Sequence, residues 1–129
     1  MNMYLAYTSI CLIVNVIYSF HKNDILMHHL WMLLVCTSIF HHANNYENKF
    51  IEKCDIFIVH LITIIHLYIS LKSIYNNILI YNSLLNVLIF HLIYYIYYKI
   101  PNRSNIQHSY LHFLGIISGC NTIYIKNYN

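Results

Sequence analysis

Five long apolar runs, separated by short polar breaks, limit what this chain can fold into. They cover Met3–Phe20, Ile25–His42, Asp55–Leu71, Ile78–Tyr98 and Ile106–Tyr124. A transmembrane α-helix needs about 20 largely apolar residues, with a range of about 17–25. Backbone N–H and C=O groups have no water partner in hydrocarbon, so each run must satisfy them internally as a helix. The runs are continuous rather than alternating, which excludes an outer-membrane barrel of short strands. The expected fold is all-α: an integral membrane protein built as a bundle of about five transmembrane helices, one domain over residues 1–129.

Composition agrees. Hydrophobic residues make up 59% of the 129 and charged residues 9%, against about 25% charged in a soluble domain. Seven Lys and Arg with four Asp and Glu cannot clothe a water-facing surface. The basic residues are dispersed, so no nucleic-acid partner is expected. Cys11, Cys36, Cys54 and Cys120 form no CxxC pair and read as free thiols rather than a disulfide or thiolate-metal framework. Met1–Phe20 lacks a basic n-region and a small-residue cleavage site, and reads as a retained first helix rather than a signal peptide. The 14 tyrosines read as compositional bias, with some at the membrane interface. Lys and Arg divide four against three between the two sides of a five-span topology, too even to orient the chain.

Polar groups inside apolar runs carry the functional signal, because ionisable groups in a membrane are costly. Ser38 and His42 lie four residues apart at the end of the second run, on one helical face. Asp55 opens the third run, where it reads either as an N-cap worth about 1 kcal/mol or as a functional carboxylate. His108 and His112 are also four apart, near the start of the last run. An i, i+4 His pair can grip one metal ion from one helix, as in HExxH proteases, although here no Glu stands beside the first His. Helices three and four return the chain to the side where helix two ends. Ser38, His42, Asp55, His108 and His112 therefore fall at similar depth near one face. His108, His112, Gly115 and Gly119 form one stripe, and the GxxxG spacing lets helices approach closely, which turns these histidines into the bundle. Thr37 and His41 repeat the Ser38–His42 spacing, so His41 competes with His42. His60, His66 and His91 lie deeper and read as buried, hydrogen-bonded imidazoles. His28 and His29 lie about 20 Å from His42 at 1.5 Å per residue, too far to share an ion with it.

This pattern resembles the CREST superfamily: alkaline ceramidases, progestin and adiponectin receptors, haemolysin-III-like proteins and the lipid-remodelling proteins of GPI-anchor maturation. The resemblance rests on three short islands within residues 30–119. They are Ser38-Ile-Phe-His-His42 at the end of helix two, Asp55 at the start of helix three, and His108-Ser-Tyr-Leu-His112 in the last helix. The flanks Glu52-Lys-Cys-Asp55-Ile-Phe57 and His42-Ala43 are similar to family segments as well. The resemblance implies a zinc-dependent transmembrane hydrolase acting on a lipid amide or ester. It implies Zn²⁺ on His42, His108 and His112, with Asp55 as general base. It gives Ser38 one of two roles, oxyanion donor or orienting residue.

The chain departs from that family in size. Five spans replace seven, and the stretch between Asp55 and His108 is about half the usual length. Two helices that wall the lipid pocket are thus missing, and a homo-oligomer is one way to supply them. Two other readings stand beside the hydrolase: a non-enzymatic multi-span structural or assembly protein, and a metal or proton carrier using the intramembrane histidines. The expected location is a membrane, an endomembrane such as the ER or Golgi if the cell is eukaryotic.

Overall fold

A computed structural model describes residues 3–44, 48–72, 78–99 and 105–128. Among these, six helical segments follow one another with no strand: α1 (Met3–Ile10), α2 (Ile13–His21), α3 (Ile25–Ala43), α4 (Lys49–Lys72), α5 (Ile78–Lys99) and α6 (Asn105–Tyr128). Most of the polar breaks expected after the third and fourth runs, residues 73–77 and 100–104, lie outside the described residues.

The first apolar run is one rod in two pieces. At Cys11 and Leu12 the backbone bonds tighten to the i→i+3 pattern, Cys11 N–H to Thr8 O and Leu12 N–H to Ser9 O. The local cause is hydroxyl competition. Thr8 Oγ1 and Ser9 Oγ both donate to the Leu5 carbonyl, at 3.0 and 2.9 Å. Such back-bonding bends helices, and a short 3₁₀ step absorbs the bend.

The turn into α3 follows from its four residues. Lys22 closes α2, Asn23 takes the left-handed conformation (φ 54°), and two backbone bonds, Asn23 N–H to Phe20 O and Asp24 N–H to Ser19 O, complete a Schellman motif. Asp24 then caps α3 by accepting from Met27 N–H at 3.2 Å. The same carboxylate oxygen accepts from Lys126 Nζ at 2.6 Å, which ties the end of α6 to the α2–α3 turn. The last helix therefore reaches Tyr128, where sequence reading ends it at Tyr124.

The third span also differs from expectation. α4 begins at Lys49, six residues before Asp55, with Asn48 Oδ1 accepting from the N–H groups of Phe50 and Ile51 at 3.0 and 3.3 Å. Lys49, Glu52 and Lys53 are sound helix formers, so the polar stretch joins the helix instead of breaking it. Asp55 is inside α4 and buried. It is not an N-cap.

The first span packs between α3 and α6, and α4 bears on α3, α5 and α6. Its apolar core holds Leu12, Val16, Met27, Trp31, Leu34, Ile58 and Ile62. Asn15 links the first span to α6, donating to Gly115 O at 3.1 Å and accepting from Cys120 Sγ at 3.2 Å. A Cβ on Gly119 would stand 2.5 Å from Trp31 Cζ2 and 2.6 Å from Asn15 Cγ, whereas one on Gly115 would meet nothing nearer than 3.5 Å. Gly119 is therefore the point of closest approach between α6 and its neighbours.

Polarity is arranged inside out. Ser9, Asn15, Ser38, His42, Asp55, His66, Ser118 and Thr122 are buried, while Phe20, Ile25, Phe57, Ile64, Leu71, Leu92 and Phe113 are exposed. Exposed apolar area on this scale marks a surface built for something other than water. Three helices, Met3–His21, Ile25–Ala43 and Lys49–Lys72, are long and apolar enough to cross a membrane.

Candidate metal centre

Three imidazoles meet where the end of α3 faces the start of α6. The candidate ligand atoms of His42, His108 and His112 all lie within 4.8 Å of one another. Ring centroids are 4.7 Å apart for His42–His108, 5.5 Å for His42–His112 and 5.0 Å for His108–His112. His42 and His112 are buried and His108 half-buried. The helical spacing of four brings His108 and His112 together on α6. The stripe that continues through Gly115 and Gly119 turns them inward.

The donor set fits a metal ion. Tetrahedral bonds of about 2.0–2.1 Å place neighbouring imidazole nitrogens about 3.4 Å apart. Drawing the three nitrogens in by about an ångström would bring them to that spacing. Two of the rings have a hydroxyl neighbour at Nδ1. Tyr97 Oη stands 3.1 Å from His108 Nδ1 and Thr8 Oγ1 stands 2.8 Å from His112 Nδ1. Thr8 has a single hydroxyl proton, within reach of both Leu5 O and His112 Nδ1. With that proton on Leu5 O, Thr8 accepts from His112, and His112 is the Nδ1–H tautomer with its Nε2 lone pair free to ligate. Fixing a ligand imidazole through its far nitrogen is the usual outer-shell device of metal sites.

The other expected site residues lie beside the cluster. Ser38, Asp55, His108 and His112 line one cavity of about 360 Å³. Ser38 Oγ is 3.0 Å from Ser9 Oγ. Ser9 Oγ also lies 2.9 Å from Leu5 O. Thr37 Oγ1 lies 3.1 Å from Asp55 Oδ1. His41 lines the cavity, while His42 occupies the cluster.

The deeper histidines divide. His66 is buried, with Nδ1 3.4 Å from Ser118 Oγ. His91 is half-buried. His60 is exposed, against the expectation of a buried imidazole, and meets the Tyr94 ring edge-on at 6.0 Å between centroids. The α4 register turns it outward, away from the face that carries Asp55, Ile62 and His66. His28 and His29 sit near the start of α3, bonded to Val16 O and Ile25 O.

Sequence reading misses Thr8, Ser9 and Tyr97 as supports of the site. Thr8 and Ser9 do leave a signal, as adjacent hydroxyls inside an apolar run. Tyr97 leaves none, since it is one of 14 tyrosines. Compared with known proteins, the chain matches no family model, no curated protein and no solved structure.

Proposed function

We propose that this chain is a five-span integral membrane hydrolase that uses a zinc ion to cleave an amide or ester bond of a membrane lipid. The observation that carries the reading is the convergence of His42 with His108 and His112, from distant parts of the chain, beside a cavity that also holds Asp55. The cavity volume lies within the range of ligand pockets, about 300–1,000 Å³. One copy of the chain supplies all the residues that line it.

His42, His108 and His112 would hold the ion as neutral imidazoles and leave one tetrahedral position open. When bound there, zinc polarises a carbonyl and brings the pKa of water to about 7. Asp55 takes the proton of the attacking water and returns it to the departing amine or alcohol, as the new C–O bond forms and the C–N or C–O bond breaks. Thr37 steadies one oxygen of that carboxylate. Ser38, which lines the same cavity, would serve as oxyanion donor or as an orienting residue. The carrier reading finds less support, because on α4 His60 faces outward while His66 is buried.

Metal analysis of detergent-purified protein tests the proposal. About one zinc per chain is expected, lost in His42→Ala and in His108→Ala, together with hydrolysis of short-chain ceramide or lysolipid ester. A zinc-free wild type, or zinc that survives both substitutions, overturns it in favour of a non-enzymatic membrane protein.

A further inference from the structure

The cavity has a second polar end that the proposed chemistry does not use. On α4 it is lined by Asp55 near the histidines and by His66, eleven residues further on, a distance of about 16 Å at 1.5 Å per residue. Leu34, Val59, Ile62 and Leu111 line the stretch between. At the far end Trp31 of α3 faces His66, with ring centroids 5.8 Å apart. Both side chains are almost wholly buried, at 2% and 1% exposure. Trp31 Nε1 and His66 Nε2 have no hydrogen-bond partner among the described residues. Buried polar atoms are ordinarily satisfied, and an indole N–H can only donate. Two unsatisfied nitrogens at one end of the cavity call for an atom that the described residues do not supply.

We propose that this end reads a hydroxyl group on the ligand's hydrocarbon chain. A hydroxyl oxygen accepts from Trp31 Nε1–H and its proton goes to His66 Nε2, so one group satisfies both. His66 presents Nε2 as an acceptor when its Nδ1–H donates to Ser118 Oγ. A carbonyl would serve only the indole, and a methylene neither. An extended chain of about a dozen carbons, with C–C bonds of about 1.5 Å, reaches from the histidines to this point. The inference rests on the lipid reading above and narrows its substrate to a lipid with a mid-chain hydroxylated acyl group.

Binding of 12-hydroxystearate and stearate to chelator-treated full-length protein tests this without metal or turnover. The hydroxy acid is expected to displace radiolabelled stearate at about tenfold lower concentration than unlabelled stearate does. It should also shift the emission of Trp31, the only tryptophan, further than stearate does. Trp31→Phe and His66→Leu should each bring the displacement ratio close to one while stearate affinity holds. Equal displacement by the two acids in the wild type, a preference that survives both substitutions, or no binding of either acid overturns the inference. None of these results depends on zinc, so the hydrolase reading stands or falls on its own metal analysis.

Discussion

Thr8 Oγ1 stands 2.8 Å from His112 Nδ1 and 3.0 Å from the Leu5 carbonyl oxygen. With the hydroxyl proton on that carbonyl, the first bond runs from His112 Nδ1–H to Thr8, and a residue of the first span sets the tautomer of an imidazole on the last. Thr8→Val keeps the shape and deletes the acceptor, and should weaken zinc binding by about 10–100-fold. Thr8→Ser should restore it. ¹⁵N shifts of His112 in metal-free protein should show Nδ1 protonated in the wild type and in Thr8→Ser, and a mixture of tautomers in Thr8→Val. The same mixture in the wild type would end this account.

Gly119 and Gly115 make a paired test of packing. A methyl group at 119 meets Trp31 and Asn15 at distances no contact tolerates, whereas at 115 it meets Leu12 Cδ2 and Phe90 Cε2 in ordinary van der Waals contact. Gly119→Ala should cost about 1–3 kcal/mol through forced displacement of a packed side chain, and Gly115→Ala much less. Thermal unfolding in detergent measures both. Equal effects would mean that α6 does not approach Trp31 as closely as described.

Asp24 and Lys126 lock the opposite end of the bundle. The Asp24 side chain is 2% exposed and that of Lys126 38%, so this pair lies between the surface case and the buried one. Its coupling energy in a double-mutant cycle of Asp24→Asn and Lys126→Met should be about 1–3 kcal/mol. Asn keeps the cap on Met27 N–H, which confines the cycle to the ion pair. A coupling near zero would show that α6 is not anchored there.

The helical, inside-out character of the bundle is legible in the five apolar runs because length and continuity alone decide it. The approach of α6 is legible in the stripe from His108 to Gly119, where one helical face carries both its histidines and both its glycines. Other features depend on what only tertiary packing supplies. The 3₁₀ step at Cys11 arises from two hydroxyls bonding one carbonyl, which residue patterns do not reveal. The start of α4 at Lys49 rests on the Asn48 cap, and the apolar run hides it by beginning at Asp55. The roles of Thr8 and Ser9 follow from the first span lying between α3 and α6, a matter of helix order in space. The outward turn of His60 is set by helix rotation, to which a long apolar helix with little amphipathic contrast gives no clue.

Adjacent His41 and His42 give the sharpest test of the centre. They share one turn of α3, with ring centroids 5.0 Å apart, and both are buried. Only His42 lies in the three-imidazole cluster, while His41 lines the cavity near Glu52 and Asp55. A three-coordinate protein site that loses one imidazole loses most of its affinity, because a catalytic centre has only three protein ligands to begin with. His42→Ala should therefore abolish stoichiometric zinc, and His41→Ala should retain it while altering turnover. Cobalt substitution gives an independent readout, since the visible bands of a tetrahedral site should persist in His41→Ala and vanish in His42→Ala. The reverse pattern would move the centre one residue along α3 and separate it from His108 and His112.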